Sequence, residues 1–198
     1  VLAAGGLVAV PTETVYGLAA DARNPEAVRQ IFAAKGRPAD NPLIVHIAEM
    51  RALEQVAATV PPLAEKLAER FWPGPLTMIL PKRKEIPEIT SGGLDTVGIR
   101  MPSHPVARAL IQLSGVPIAA PSANISGYPS PTTAQHVMRD MQGKIAAVVD
   151  GGACSVGVES TVIALESNGT VRILRPGFVT KEMLEEVAPE VTLDPAIL

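Results

Sequence analysis

Short apolar runs alternate with helical stretches along this chain of 198 residues, and none of the runs is longer than a single strand needs. Gly6 to Val10, Leu43 to Ile47, Leu76 to Leu80 (interrupted by Thr77), Val97 to Met101, Val116 to Ala120 and Ile145 to Val149 read as strands. Between them, helices are expected from Pro25 to about Ala34, Glu49 to Ala57, Pro61 to Phe71, Ser103 to Leu113 and Thr133 to Met141. Asn24-Pro25 supplies an N-cap followed by Pro at the first helical position, Ser103 is a candidate cap, and Gly115 stops its helix. Ser160 to Ala164 and Val171 to Leu174 look paired across Ser167-Asn168-Gly169, an Asn-Gly turn typical of a hairpin. A short helix near Lys181 to Val187 follows. Strands mixed with helices, plus one hairpin, predict an α/β domain built on a mixed sheet.

The length suits one such domain, placed here at residues 1–188. Residues 189–198 read as a Pro-containing tail or the start of a linker. The opening residues look like the end of a helix, so a few residues are expected to precede Val1. No basic, apolar signal segment is visible. Hydrophobic residues make up 47% and charged residues 19%, a globular and not a disordered balance. The apolar runs are too short to span a bilayer, so no membrane is expected. The single cysteine, Cys154, rules out an intrachain disulfide and a Cys-rich zinc site, which fits a cytoplasmic protein. A net charge of −3 argues against an overall grip on nucleic acid. With aromatics at only 3%, base stacking is not the expected mode of recognition.

Three segments carry hydroxyls, amides and cations beside Gly and Pro: Pro11 to Asp21, Lys35 to His46 and Pro121 to Thr132. That mixture suits a pocket for a phosphorylated, polar ligand at strand ends. Lys35 and Arg37 stand at alternate positions in a Gly/Pro turn and can converge on one anion, Arg through a bidentate fork and Lys as a point charge. The same cations also suit a helix C-terminus for its dipole alone. Ser122 and Asn124 follow a strand directly, with Ser130 and Thr132 behind them, as in an anion cradle or an ordinary Asx turn. Thr12, Glu13 and Thr14 likewise follow a strand. Glu13 is a candidate to hold a hydrated metal or is simply a solvated carboxylate, and Tyr16 is a pocket wall or core. Thr96, Gly98 and Arg100 share one strand face, where an Arg beside a Gly leaves room for a ligand carboxylate. The glycine-bearing loop from Gly151 to Gly157 can fold over a ligand with Ser160 at its edge. Cys154 within it lacks any local base to activate it. His104 and His136 read as surface or capping residues, and the three histidines have no metal-ligand spacing. No P-loop, dinucleotide fingerprint or zinc-protease motif occurs.

These segments together resemble the threonylcarbamoyl-AMP synthase family, the YrdC-like domain. The resemblance runs from about Gly5 to Gly177. It is carried by PTETVYGL, the K-x-R of Lys35 and Arg37 within KGRPADNPLIVH, WPGPLT, TVGIRMP, the S-x-N of Ser122 and Asn124, GVESTVI and ILRPG. It implies a twisted open mixed β-sheet flanked by helices, with a concave, positively charged cavity (YrdC/RibB-like). It implies conversion of L-threonine, bicarbonate and ATP, with Mg²⁺, to threonylcarbamoyl-adenylate and pyrophosphate, for the tRNA threonylcarbamoyl-transfer machinery downstream. Thr14, His46, Arg100, the Ala120 backbone and Ser160 would then hold threonine. Lys35, Arg37, Asn41, Thr96, Ser122, Asn124, Ser130 and Arg175 would hold ATP, with Lys35 and Arg37 carrying the catalytic charge. No tightly bound organic cofactor and no protein cage for the metal are expected. Two other activities fit such a domain: carbamoyl-adenylate formation from carbamoyl phosphate, and RNA binding at the basic cavity without catalysis. The first belongs to much longer chains, and the acidic net charge speaks against the second.

Overall fold

The computed structural model describes residues 1–198. In chain order the strands are β1 (Val8–Val10), β2 (Gly17–Asp21), β3 (Ile44–His46), β4 (Leu76–Pro81), β5 (Thr96–Arg100), β6 (Ile118–Ala119), β7 (Ala147–Val148), β8 (Thr161–Leu165), β9 (Thr170–Arg175) and β10 (Glu190–Leu193). The helices are α1 (Pro25–Lys35), α2 (Pro62–Phe71), α3 (Glu88–Ser91), α4 (Pro105–Ser114), α5 (Ala134–Met141) and α6 (Lys181–Glu185). All ten strands join one twisted mixed sheet in the order β10-β9-β8-β4-β5-β3-β6-β2-β1-β7. No helix is long and apolar enough to cross a membrane.

Local chemistry sets several boundaries. Asn24 caps α1, its side-chain oxygen accepting from the backbone N–H groups of Glu26 and Ala27, and Pro25 follows at the first turn. Gly36 ends α1 in the left-handed conformation (φ 62°), which turns the chain so that Arg37 leaves the helix axis. The Asn-Gly hairpin forms as the sequence predicts, joining antiparallel β8 and β9.

Alternation along the strands separates two faces. Val45, Val97 and Ile99 enter the main core with Met78, Ile163 and Ala119. His46, Gly98 and Arg100 point to the opposite face, and the register sets His46 and Thr77 on either side of Arg100. That second face carries a smaller core, Val8, Val10, Ala19, Ile111 and Ile118, under α4. Beyond it the face is polar, and there the cleft lies.

Three expectations need correcting, and one strand is additional. The segment from Pro189, read as a tail or linker, instead supplies β10, which pairs in parallel with β9 through Val191 and Val171. Burying Val191 at the sheet edge offsets the poor propensity of a Pro-flanked segment. Glu49 to Ala57 forms a 3₁₀ turn over Met50–Gln55 and not an α-helix; it has no side-chain cap, and its end is drawn to the sheet by Ala58 N–H donating to Pro81 O. Gly17–Asp21, for which no element is expected, is a strand held between β1 and β6 although Gly and Ala are weak strand formers. His104, not Ser103, caps α4, its Nδ1 accepting from Val106 N–H.

Candidate active site

A cleft on the polar face is lined by the turn after β1 (Thr14 and Val15), the segment after α1 (Arg37, Pro42 to Ile44), His46, Arg100, the turn after β6 (Ala120 to Ser122), Glu159, Ser160 and Arg175. Every one of these residues comes from a strand end or an adjoining loop, which is where an open sheet leaves side chains free to converge.

The inner wall is built around Arg100, only 4% exposed. Its Nη2 is ion-paired with Glu13 Oε1, Nη1 donates to Thr14 Oγ1 at 2.9 Å, and Nε donates weakly to Gly74 O at 3.4 Å. Glu13 is itself fixed from behind: Oε2 accepts from both Ser103 N–H (2.8 Å) and Ser103 Oγ (2.7 Å). Glu13 is therefore neither a solvated carboxylate nor free to hold a metal. Burial pushes the Arg100 guanidinium down and Glu13 opposes the shift. One hydrogen on each Nη remains unassigned. His46 stands beside it, pushed down to about 3 by burial and by the Arg100 charge, so its imidazole is neutral at ordinary pH. Its Nδ1 lies 3.2 Å from Ile44 O, which assigns the proton to Nδ1 and leaves Nε2 as an acceptor. Across the sheet Ser160 Oγ and Thr77 Oγ1 share a 2.8 Å hydrogen bond.

The outer wall holds Arg37, Arg175 and Glu159 and is less buried. Arg175 donates from Nε and Nη2 to Ser160 O, from Nη2 to Ser160 Oγ, and from Nη1 to Glu159 Oε2 at 2.7 Å. Glu159 Oε1 accepts from Ser130 Oγ at 3.0 Å. Gly177 makes this wall possible, because a Cβ there would stand 2.6 Å from Glu159 O. Arg37 donates from Nη2 to Pro42 O, while its buried Nε has no partner. Burial lowers the Arg37 guanidinium, with Glu159 opposing and Arg175 adding to the shift. An unpaired buried donor at a cleft wall is a group awaiting an acceptor.

The sequence-derived candidates thus divide. Thr14, His46, Arg100, Ala120 and Ser160 meet around the inner wall, and Arg37, Ser122 and Arg175 at the outer. Ser130 reaches the cleft only through Glu159. Lys35 does not line it: 2% exposed, its Nζ donates to Ser122 O and to Asn124 O (2.7 Å), tying α1 to the loop after β6. Burial and the neighbouring Arg37 push Lys35 down to about 8. Asn124 is buried behind the same loop, its Nδ2 donating to Ile125 O and Tyr128 O and its Oδ1 without a partner. Asn41 is exposed in the turn after Arg37, and Thr96 sits at the start of β5, both outside the cleft lining. Tyr16 is core, its hydroxyl donating to Gly152 O and accepting from Gly151 N–H, so it pins the glycine loop. Two roles escaped the sequence reading: Glu13 as the partner of Arg100, and Glu159 as a carboxylate in the wall that holds Arg37 and Arg175. The signal for both was adjacency to a quoted hydroxyl, which does not say which way a carboxylate turns. No group of three or more His, Cys, Asp or Glu side chains comes together to hold a metal ion.

The chain is similar to known proteins over most of its length. The model of the Sua5/YciO/YrdC family, described as telomere recombination, matches residues 1–177. The chain is 58% identical over 193 residues to a threonylcarbamoyl-AMP synthase of Pyrococcus abyssi, covering 98% of this chain and 56% of that one. It is 55% identical over 190 residues to the threonylcarbamoyl-AMP synthase of Bacillus subtilis, covering 95% and 54%. The crystal structure of P. abyssi Sua5 complexed with L-threonine superposes with a TM-score of 0.96 at 56% identity, covering 99% of this chain and 57% of that one. The chain spans about half the length of the curated relatives it matches. On this evidence of sequence and fold together, the chain belongs to the Sua5/YciO/YrdC family.

Proposed function

We propose that this chain carries the site at which L-threonine, bicarbonate and ATP are converted to threonylcarbamoyl-AMP and pyrophosphate, for transfer to tRNA by machinery downstream. The observation that carries the reading is the two-part cleft. A buried Arg100 with unassigned guanidinium hydrogens stands beside a neutral His46, and it adjoins a wall holding Arg37 and Arg175. An α-amino acid needs the first arrangement, and a polyphosphate needs the second. The resemblance to a Sua5 crystallised with L-threonine supports the same assignment.

In this reading Arg100 takes the threonine carboxylate, Thr14, Ser160 and the Ala120 backbone fix its hydroxyl and amine, and His46 Nε2 accepts from the amine. Arg37, Arg175, Ser122 and Ser130 take the phosphates. Asn41 and Thr96 contact the nucleotide from outside the central cleft. Lys35 and Asn124 support the loop on which Ser122 stands, and the remaining Lys35 hydrogen adds to the field. The catalytic charge assigned to Lys35 and Arg37 thus falls mainly on Arg37.

The chemistry then follows from charge and proximity. The threonine amine gives up its proton to solvent, because Nε2 of His46, pushed down to about 3, accepts a hydrogen bond from the amine but does not keep its proton, and the free amine attacks the bicarbonate carbon. Water leaves, giving a carbamate. A carbamate oxygen attacks the α-phosphorus, the bond to the bridging oxygen breaks, and pyrophosphate departs with that electron pair. Nucleophile and electrophile are both anionic, so the arginines lower the barrier by neutralising charge in place. Holding the carbamate against the α-phosphate contributes up to about 7–11 kcal/mol in well-oriented cases. With both Glu159 oxygens already engaged and no cluster of metal-ligating side chains in the cleft, Mg²⁺ would come with the nucleotide, held mainly by phosphate and water. The cavity's net positive character, a cytoplasmic location and any RNA contact at its rim belong to the same proposal.

The test is pyrophosphate release and mass spectrometry of the nucleotide product, with purified chain, ATP, Mg²⁺ and bicarbonate, with and without L-threonine. Threonine-dependent pyrophosphate and a threonylcarbamoyl-adenylate mass are expected. Pyrophosphate that forms equally without threonine would overturn the assignment.

A further inference from the structure

Glu159 is an acid in a wall otherwise suited to an anion, and its carboxylate is doubly held: Oε2 by Arg175 Nη1 at 2.7 Å and Oε1 by Ser130 Oγ at 3.0 Å. Arg175 has five N–H groups, and its Nε and Nη2 are already directed at Ser160. Nη1 carries the hydrogens not directed at Ser160, and Glu159 holds one of its two. The same carboxylate draws Ser130 to itself, so it engages both groups assigned to the nucleotide on this side. Arg37 Nε, across the wall, stays buried and unpaired. A carboxylate and a phosphate oxygen present similar acceptors to a guanidinium fork and a hydroxyl.

The backbone at this point cannot follow a departing side chain. Gly177 packs so closely on Glu159 O and Thr161 N that even a Cβ would stand 2.6 Å from either atom. The side chain is free to turn: the Arg175–Glu159 pair is more than a third exposed on both members, and Val158 and Gly157 before it are exposed. Exchange of Glu159 for another anion is therefore a rotation about its own side-chain bonds.

We propose that Glu159 is an intramolecular stand-in for the polyphosphate, holding Arg175 and Ser130 in place until the nucleotide displaces it and so setting nucleotide affinity. This rests on the nucleotide reading of the cleft. The stand-in keeps mutually repelling cations assembled in the free protein, at the cost of competing with the ligand. Glu159→Gln keeps the shape and an acceptor for Arg175 while removing the charge. Glu159→Asp keeps the charge but shortens the reach, so it cannot bridge both partners.

Calorimetric titration of the whole chain with inorganic tripolyphosphate and with ATP, without and with Mg²⁺, tests this. Without metal, E159Q is expected to bind tripolyphosphate about tenfold more tightly than the unaltered chain, the scale of removing one charge close to a highly charged anion in a water-like dielectric. E159D is expected to fall between the two. The gain shrinks when Mg²⁺ already neutralises the ligand. An E159Q affinity that is unchanged or weaker without metal overturns the proposal. So does a loss confined to the Mg²⁺ titration, which would make Glu159 a metal ligand. The threonine-dependent pyrophosphate assay on the unaltered chain separates the two claims. Turnover with no tightening in E159Q removes the stand-in alone, and tightening without turnover removes the synthase reading alone.

Discussion

Two carboxylate–guanidinium pairs face the same cleft, Glu13 with Arg100 and Glu159 with Arg175, and water separates their roles. The inner pair is 8% and 4% exposed at the side chains, the outer 37% and 38%. Glu13 is anchored by two Ser103 hydrogen bonds and can be removed only by leaving a buried charge behind. Glu159 can turn into solvent and be replaced. One chemistry thus serves as fixed architecture where it is dry and as an exchangeable contact where it is wet. On the proposed function, an amino-acid subsite would benefit from the first, since a preorganised Arg100 need not be ordered when the ligand binds. A polyphosphate subsite tolerates the second, because its ligand brings enough charge to displace a single carboxylate.

The contrast breaks first at Glu13. Glu13→Ala should cost about 3–5 kcal/mol of unfolding free energy, the usual penalty for stripping one member from a buried pair. Urea unfolding measures it, and a loss under 1 kcal/mol would mean that Arg100 finds another partner. Next comes the outer wall. Arg37→Ala should lower adenylate formation about 10²-fold, the scale for losing one preorganised charge-stabilising donor. Far-UV circular dichroism should be unchanged, and near-normal turnover would show that Arg175 alone carries the phosphates.

His46 sharpens the inner side. Its folded pKa of about 3 lies below the unfolded value of 6.5, so between them the unfolded chain binds the extra proton. Stability is held above pH 6.5 and lost as pH falls toward 3, at up to about 1.4 kcal/mol per pH unit from this group. His46→Gln should flatten that part of the slope in unfolding curves taken between pH 6.5 and 5.5. A variant with an undiminished slope would place the acid sensitivity elsewhere. The smallest effect is expected at the outer pair. Glu159→Ala should change unfolding free energy by no more than about 1 kcal/mol, as exposed ion pairs do. A loss rivalling that of Glu13→Ala would erase the distinction between the two walls.

Much of this was legible in the chain. The Asn24-Pro25 cap, the Gly36 and Gly115 stops and the Asn168-Gly169 hairpin are local rules, satisfied by neighbours in sequence, and each stands where the residues put it. The one-face placement of Gly98 and Arg100 follows from strand periodicity alone. What was not legible depended on partners far away in sequence. β2 is a strand because β1 and β6 flank it, and β10 because β9 offers its edge. Lys35 reads as a phosphate cation beside Arg37, yet it is spent on carbonyls 87 and 89 residues away.

The sequence by itself determined the α/β class, the loops that build the cleft and the residue types that line it, because turn chemistry, caps and alternation act over a few residues. Only the tertiary structure decided which cations are free and which are paired. A carboxylate at position 13 or 159 can face solvent, a metal or an arginine, and nothing nearby in the chain selects among these. The choice was made when the sheet brought Arg100 and Ser103 to Glu13 and left Glu159 with Arg175 at the water's edge.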